Sequence, residues 1–271
     1  MKKTLYLLSF LSILLFACKD EDVIYNPDLT STQATQDHLF AEQTFSDVGR
    51  IVEEGFLASG VNKSYPSYNL IDLIKPNGDT IDALEINFGT INYLHNGKLR
   101  KGKIIITYTG KYRDSLAVIT TTFDNYYVNN NLIQGERVVT NQGRNGNGNM
   151  WFTVLVNNAS ILTNNGIINW SSIRTREWVS GIATYGNITD DTYKITGSAN
   201  GKGRNNNSFS MEITDTLNID LGCLPSCVIK SGTAKISPNG YADRIINYGD
   251  SLCDCNFDIT INGTNYPIIV N

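Results

Sequence analysis

The sequence predicts a mainly β protein: an antiparallel up-and-down meander forming a broad curved sheet or an open barrel, with one N-terminal amphipathic helix packed on it. Three observations predict it. From about residue 68 onward, short strand-like runs follow one another with no strand–helix–strand rhythm. Asn-Gly pairs separate many of those runs, at Asn77-Gly78, Asn96-Gly97, Asn165-Gly166, Asn239-Gly240 and Asn262-Gly263. Such a pair between alternating segments marks a tight hairpin, and hairpin strands are antiparallel. The composition agrees, being rich in Asn, Thr, Gly and Tyr with only six prolines.

The first element is a leader. Lys2 and Lys3 precede an uncharged stretch, residues 4–17, dominated by leucine and phenylalanine. Fourteen helical residues rise about 21 Å, short of a hydrocarbon core of ~30 Å. This is the layout of a secretory signal over residues 1–17. Leu15-Phe16-Ala17-Cys18 resembles the lipobox of bacterial lipoprotein precursors, which implies lipidation at Cys18. Acyl chains contribute about 0.8 kcal/mol per buried methylene, enough in combination to hold a chain at a membrane without a spanning helix. Lys19-Asp20-Glu21-Asp22 resembles the surface-export signal of Bacteroidota lipoproteins, which implies an outer-membrane, lipid-anchored protein exposed at the cell surface.

Residues 18–30 then read as the lipidated cysteine and its tether, and residues 31–271 as a single β-rich domain. Its first element is a helix over 31–59. Ala41, Phe45, Val48, Val52 and Phe56 recur at spacings of three and four with Ile51 beside them, and Gly60 can close the end. Asp37, Glu42, Asp47, Glu53 and Glu54 make this helix acidic, which disfavours a membrane-surface role. Strands are expected near 68–74, 80–88, 102–109, 116–128, 132–140, 149–157, 166–170, 173–184, 192–199, 207–217, 227–236, 242–248, 255–262 and 265–270. The Asn- and Gly-rich stretches 141–149 and 200–207 open no helix, so they read as hairpin tips and not as phosphate loops.

Four cysteines follow Cys18: Cys223, Cys227, Cys253 and Cys255. The spacings C-x3-C and C-x-C suit a zinc knuckle poorly, and an exported chain meets an oxidising compartment. Two disulfides are therefore expected. A turn at Pro238-Asn239-Gly240 would oppose residues equidistant from it, giving nested pairs Cys227–Cys253 and Cys223–Cys255. The crossed arrangement stays open.

No catalytic residue and no metal or cofactor site is expected. His38 and His95 are the two histidines, and no nucleophile-elbow sequence accompanies them. Glu85, Asp124, Glu136, Glu177 and Glu212 lie in or beside strands, but no spacing selects a glycosidase pair among them. The aromatics are the stronger signal. Tyr126, Tyr127, Trp170 and Trp178, with Arg174 and Arg176, form a candidate surface for sugar rings or peptides. Thr80, Ser115, Thr216 and Ser251 each follow an aspartate and precede Ile or Leu, resembling the O-glycosylation sequon of Bacteroidota.

Once Lys2 and Lys3 leave with the leader, 20 basic residues face 26 acidic ones, a net of −6. That balance argues against nucleic acid or an anionic lipid surface as a partner. The C-terminal stretch with Asn247-Tyr248-Gly249-Asp250 and Cys253-Asp254 resembles the ending of uncharacterised Bacteroidota outer-membrane lipoproteins. The likeness implies a membrane partner through the lipid anchor and assigns no catalytic residue. The expected function is non-enzymatic binding or adhesion toward an extracellular glycan or protein. Two alternatives stand beside it: a half-barrel-like carrier of a lipid or apolar ligand, and a glycan-active enzyme.

Overall fold

A computed structural model of the chain describes residues 32–59, 69–73, 82–184, 187–224, 227–250, 252–253 and 256–269. The expected leader, Cys18 and its tether lie outside the described residues, as do Gly60, Asn77-Gly78, Thr80, Ser251 and Cys255. One helix, α1 (Gln33–Ser59), precedes fourteen strands among the described residues. These are β1 (Asn69–Leu73), β2 (Asp82–Asn87), β3 (Tyr93–His95), β4 (Lys98–Tyr108), β5 (Val118–Val128), β6 (Asn131–Arg144) and β7 (Met150–Thr163). They continue as β8 (Gly166–Ser180), β9 (Thr192–Lys202), β10 (Ser208–Asp220), β11 (Ile229–Pro238), β12 (Arg244–Asp250), β13 (Asn256–Ile261) and β14 (Thr264–Ile269).

The strands form one antiparallel sheet in chain order, with β3 as a short spur on β4. Among the described residues β1 and β14 do not pair, so the sheet is open, as the hairpin grammar predicts. The turns explain themselves. Asn96-Gly97 and Asn262-Gly263 both take positive φ at both positions, the backbone a two-residue hairpin needs. Asn129-Asn130 does the same between β5 and β6, although no glycine announces it. Two expected strands, 166–170 and 173–184, are one: β8 runs through Ser171 and Ser172, which pair with Asn200 and Ala199 without a break.

Curvature comes from bulges. The β4–β5 register shifts at Gly102 and the β6–β7 register at Gly135, and both glycines have positive φ. A Cβ on Gly102 would sit 1.9 Å from the Asn125 carbonyl oxygen, so only glycine fits the bend. Bent this way, the long strands form a trough, and α1 lies in it. Residues from Asp47 round to Thr35 are buried, and at about 100° per residue they cover roughly two-thirds of the helix circumference. Gln36, Gln43 and Ser46 stay exposed on the remaining stripe. The expected apolar stripe is correct: Ala41, Phe45, Val48, Ile51 and Val52 are buried, and Phe56 is half-buried. Phe45 stacks on Trp170 of β8 at 5.8 Å between ring centroids, which ties the helix to the middle of the sheet.

The nested cysteine pairing is corrected. Cys223 is bonded to Cys253, and Cys227 is also disulfide-bonded. Nested pairing requires both Cys223 and Cys227 to lie in the strand that leads into the turn at Asn239-Gly240. In fact β11 begins at Ile229, and Cys223 closes a 3-10 turn, Leu221–Cys223, so equal distance from the turn does not govern it. The bond closes a loop of sequence separation 30. Replacing Cys223 and Cys253 together by serine is expected to lower stability by about 3–4 kcal/mol, chiefly by freeing the unfolded chain. Urea unfolding of the oxidised proteins checks this, and unchanged midpoints would remove it.

Candidate functional site

The six residues expected to form one aromatic and arginine surface do not share a face. Tyr126, Trp170, Trp178 and Arg174 are buried in the trough wall. Arg176 is also turned inward, its guanidinium over the Tyr193, Phe152 and Tyr112 rings at 5.0–5.6 Å. Only Tyr127 points outward, with Lys101 over its ring at 4.4 Å. The physical reason is alternation: Tyr126 and Tyr127 are neighbours on a strand and so face opposite sides. Ser115 is exposed beside a turn, and Thr216 is half-buried on β10 with its carbonyl accepting from Asn218.

What lines the trough instead is a set of cations that meet the acids of α1. Arg100 donates to Asp47 at 2.7 and 3.0 Å and to the Tyr126 hydroxyl at 2.8 Å, and its side chain is fully buried. Burial alone would push the Asp47 carboxyl up. Hydrogen bonds and charge from Arg100, with the Lys98 ammonium and Arg50, outweigh it and hold the group below the usual carboxylate range. Burial pushes the Tyr126 phenol up to about 12. Arg174 donates to Glu42 at 2.6 Å and also to the Ser198 carbonyl. Arg204 donates to Asp37 at 2.6 Å through Nε and at 2.8 Å through its backbone N–H. His95 contacts Glu54 at 2.8 Å. Arg137 is enclosed beside Gly49 of the helix, and burial lowers its pKa while Glu53 opposes that shift.

His38 is fully buried on the helix. Its Nδ1 accepts from the Trp170 indole N–H at 3.3 Å, and its Nε2 has no hydrogen-bond partner. Desolvation lowers its pKa to about 4, against a raising effect of Glu42, and Arg174 lowers it further. The imidazole is therefore neutral at physiological pH. Among the described residues no three His, Cys, Asp or Glu side chains are grouped to hold a metal ion.

The candidate binding site is on the outside. A groove of about 600 Å3 lies over β9, β10 and β11, within the usual range of ligand pockets of ~300–1,000 Å3. Register builds it. Glu212 stands opposite Ser198 on one side and Lys235 on the other, and Ser210 stands between Asn200 and Ser237. Gly197 adds no side chain to its lining. Six hydrogen-bonding side chains thus face solvent in two rows. Of the five carboxylates considered from sequence, Glu212 alone lines this groove. Glu85 is paired with Lys103, Glu136 accepts from Asn157, and Glu177 accepts from Asn145 and Asn149. The cross-strand pairing of these residues depends on register across β9–β11, which no local sequence signal reports.

Comparison with known proteins finds no matching family model, no matching curated protein and no matching solved structure.

Proposed function

We propose that this chain is a lipoprotein anchored through Cys18 in the outer membrane, facing the cell exterior, and that it is a non-enzymatic module binding a polar extracellular ligand, a glycan or a protein segment. The observation that carries the binding role is the outer groove, with Ser198, Asn200, Ser210, Glu212, Lys235 and Ser237 in register across three strands. Disulfides at Cys223–Cys253 and Cys227 support folding outside the cytosol. A carrier would need a vacant apolar trough, whereas α1 occupies this one with its own apolar stripe. Retaining or inverting hydrolysis needs two facing carboxylates, and the groove lining has one, Glu212.

The test is binding of the acylated protein to arrayed extracellular glycans and to surface proteins of neighbouring cells. Glu212→Gln combined with Asn200→Ala removes one charged and one neutral hydrogen-bonding group. Each charge-assisted bond contributes about 1.5–3 kcal/mol, so affinity for the ligand should fall at least tenfold. Undiminished binding by that variant would move the site elsewhere.

A further inference from the structure

A second outer-face feature lies at the rim where the chain enters the domain. Tyr127, Leu132, Leu162 and Ile167 stand in one cross-strand row, because Tyr127 pairs with Leu132, Leu132 with Leu162 and Leu162 with Ile167. Their neighbours Val128, Ile133, Ile161 and Ile168 point into the core, so the row points out. Leu162 and Ile167 are 46% and 47% exposed. Four strands at ~4.8 Å spacing make this row about 14 Å long. The next outward row along the same strands is polar: Gln134, Ser160 and Asn169. A polar row thus separates the rim residues from the next outward apolar ones, Val138, Leu155 and Ile173. The hairpin tips beyond them, Asn129-Asn130 and Asn164-Asn165, carry no charge that burial would penalise. The flanking charge is Lys101, over the Tyr127 ring, a cation suited to phosphate headgroups.

The start of α1 lies at this same rim. Gln36 and Phe40 share a crevice with Asn131, Thr163, Asn164, Asn165 and Arg204. The residue next to Asn131 is Leu132, and the one next to Thr163 is Leu162. Thirteen residues lie between Cys18 and Thr32, and even a fully extended chain of that length spans at most about 50 Å. An anchor at Cys18 therefore joins the domain at this rim, within about 50 Å of the bilayer.

We propose that the row Tyr127, Leu132, Leu162 and Ile167 rests on the phospholipid surface that holds Cys18, so the domain stands on its membrane by this rim. The inference rests on the lipid-anchor reading above. The near row of the β9–β11 groove, Asn200, Ser210 and Ser237, lies two outward rows beyond Ile167.

The test uses the full acylated chain in vesicles of phosphatidylethanolamine and phosphatidylcholine. Cys223, Cys227 and Cys253 are disulfide-bonded and do not compete for a thiol-reactive fluorophore. Leu162→Cys and Ile167→Cys report on the rim. Asn147→Cys reports on the opposite end of β7, which is about 45 Å away along a strand of that length. Quenching by doxyl lipids is expected to be several-fold stronger at the rim positions than at 147. Equal quenching in protein that floats with the vesicles and carries the acyl mass would overturn the rim contact alone. Protein that neither floats nor carries that mass would overturn the anchor reading and this inference together. Rim labels shielded from solvent before lipid is added would assign the row to a protein contact and overturn the proposal as well.

Discussion

Asp47→Asn is expected to destabilise the fold by about 3–5 kcal/mol, the usual consequence of breaking a buried ion pair from one side. Asp47 holds Arg100 through two bonds and is also reached by Arg50 and Lys98. Without its charge, a fully buried guanidinium is left facing an amide and the Tyr126 hydroxyl. Replacing Asp47 and Arg100 together by leucine removes both charges and fills much of the space. It should recover a large part of the loss, since well-packed apolar replacements of buried pairs are often close to neutral. Urea unfolding followed by circular dichroism reads both. A single variant within 1 kcal/mol of wild type, or a double variant worse than the single one, would show that this pair does not hold the helix in the trough.

Acid should loosen the same helix through a different residue. His38 has an ordinary pKa of 6.5, and in the fold it lies at about 4. Below pH 6.5 the unfolded chain therefore takes up a proton that the folded chain refuses. Stability contributed by neutral His38 is complete above the unfolded value and is lost as pH falls through 4. A difference of this size corresponds to about 3 kcal/mol in total. The charged groups facing the ring are Glu42 on its own helix and Arg174 on β8, and they oppose each other. His38→Asn places an oxygen where Nδ1 accepts from Trp170, without a titrating group. Between pH 7.5 and 4.5 the wild type should lose about 2–3 kcal/mol more than the variant. Parallel losses in the two proteins would show that His38 does not set the acid response.

The order of the sheet was legible because the turns are written locally. Asn96-Gly97 and Asn262-Gly263 fix their hairpins from two residues each, and each hairpin fixes one strand neighbour. The helix was legible from its 3–4 spacing. Ser171-Ser172 misled, since two small polar residues resemble a break, although in β8 one faces in and the other out. The interior was less legible. An acidic helix suggests solvent, yet Asp37 and Asp47 are buried because arginines from four different strands or tips turn inward to meet them and their neighbours. Arg174 and Arg176, two apart on one strand, were the available sign of an inward-facing cationic pair. The groove residues had no such sign, because Ser198, Glu212 and Lys235 come together only through register across three strands.

The spacing of the helix's counterions along the chain has a consequence for biogenesis. α1 is synthesised before every strand that packs on it, and Arg50 is the one arginine it carries against its own acids. Asp47 can be matched once Arg100 has emerged, Glu42 only after Arg174, and Asp37 last of all, with Arg204. Arg100, Arg174 and Arg204, emerging in that order, therefore settle one acid each on a helix already waiting for them, and a polypeptide interrupted before residue 204 would still carry Asp37 without its arginine at the helix start.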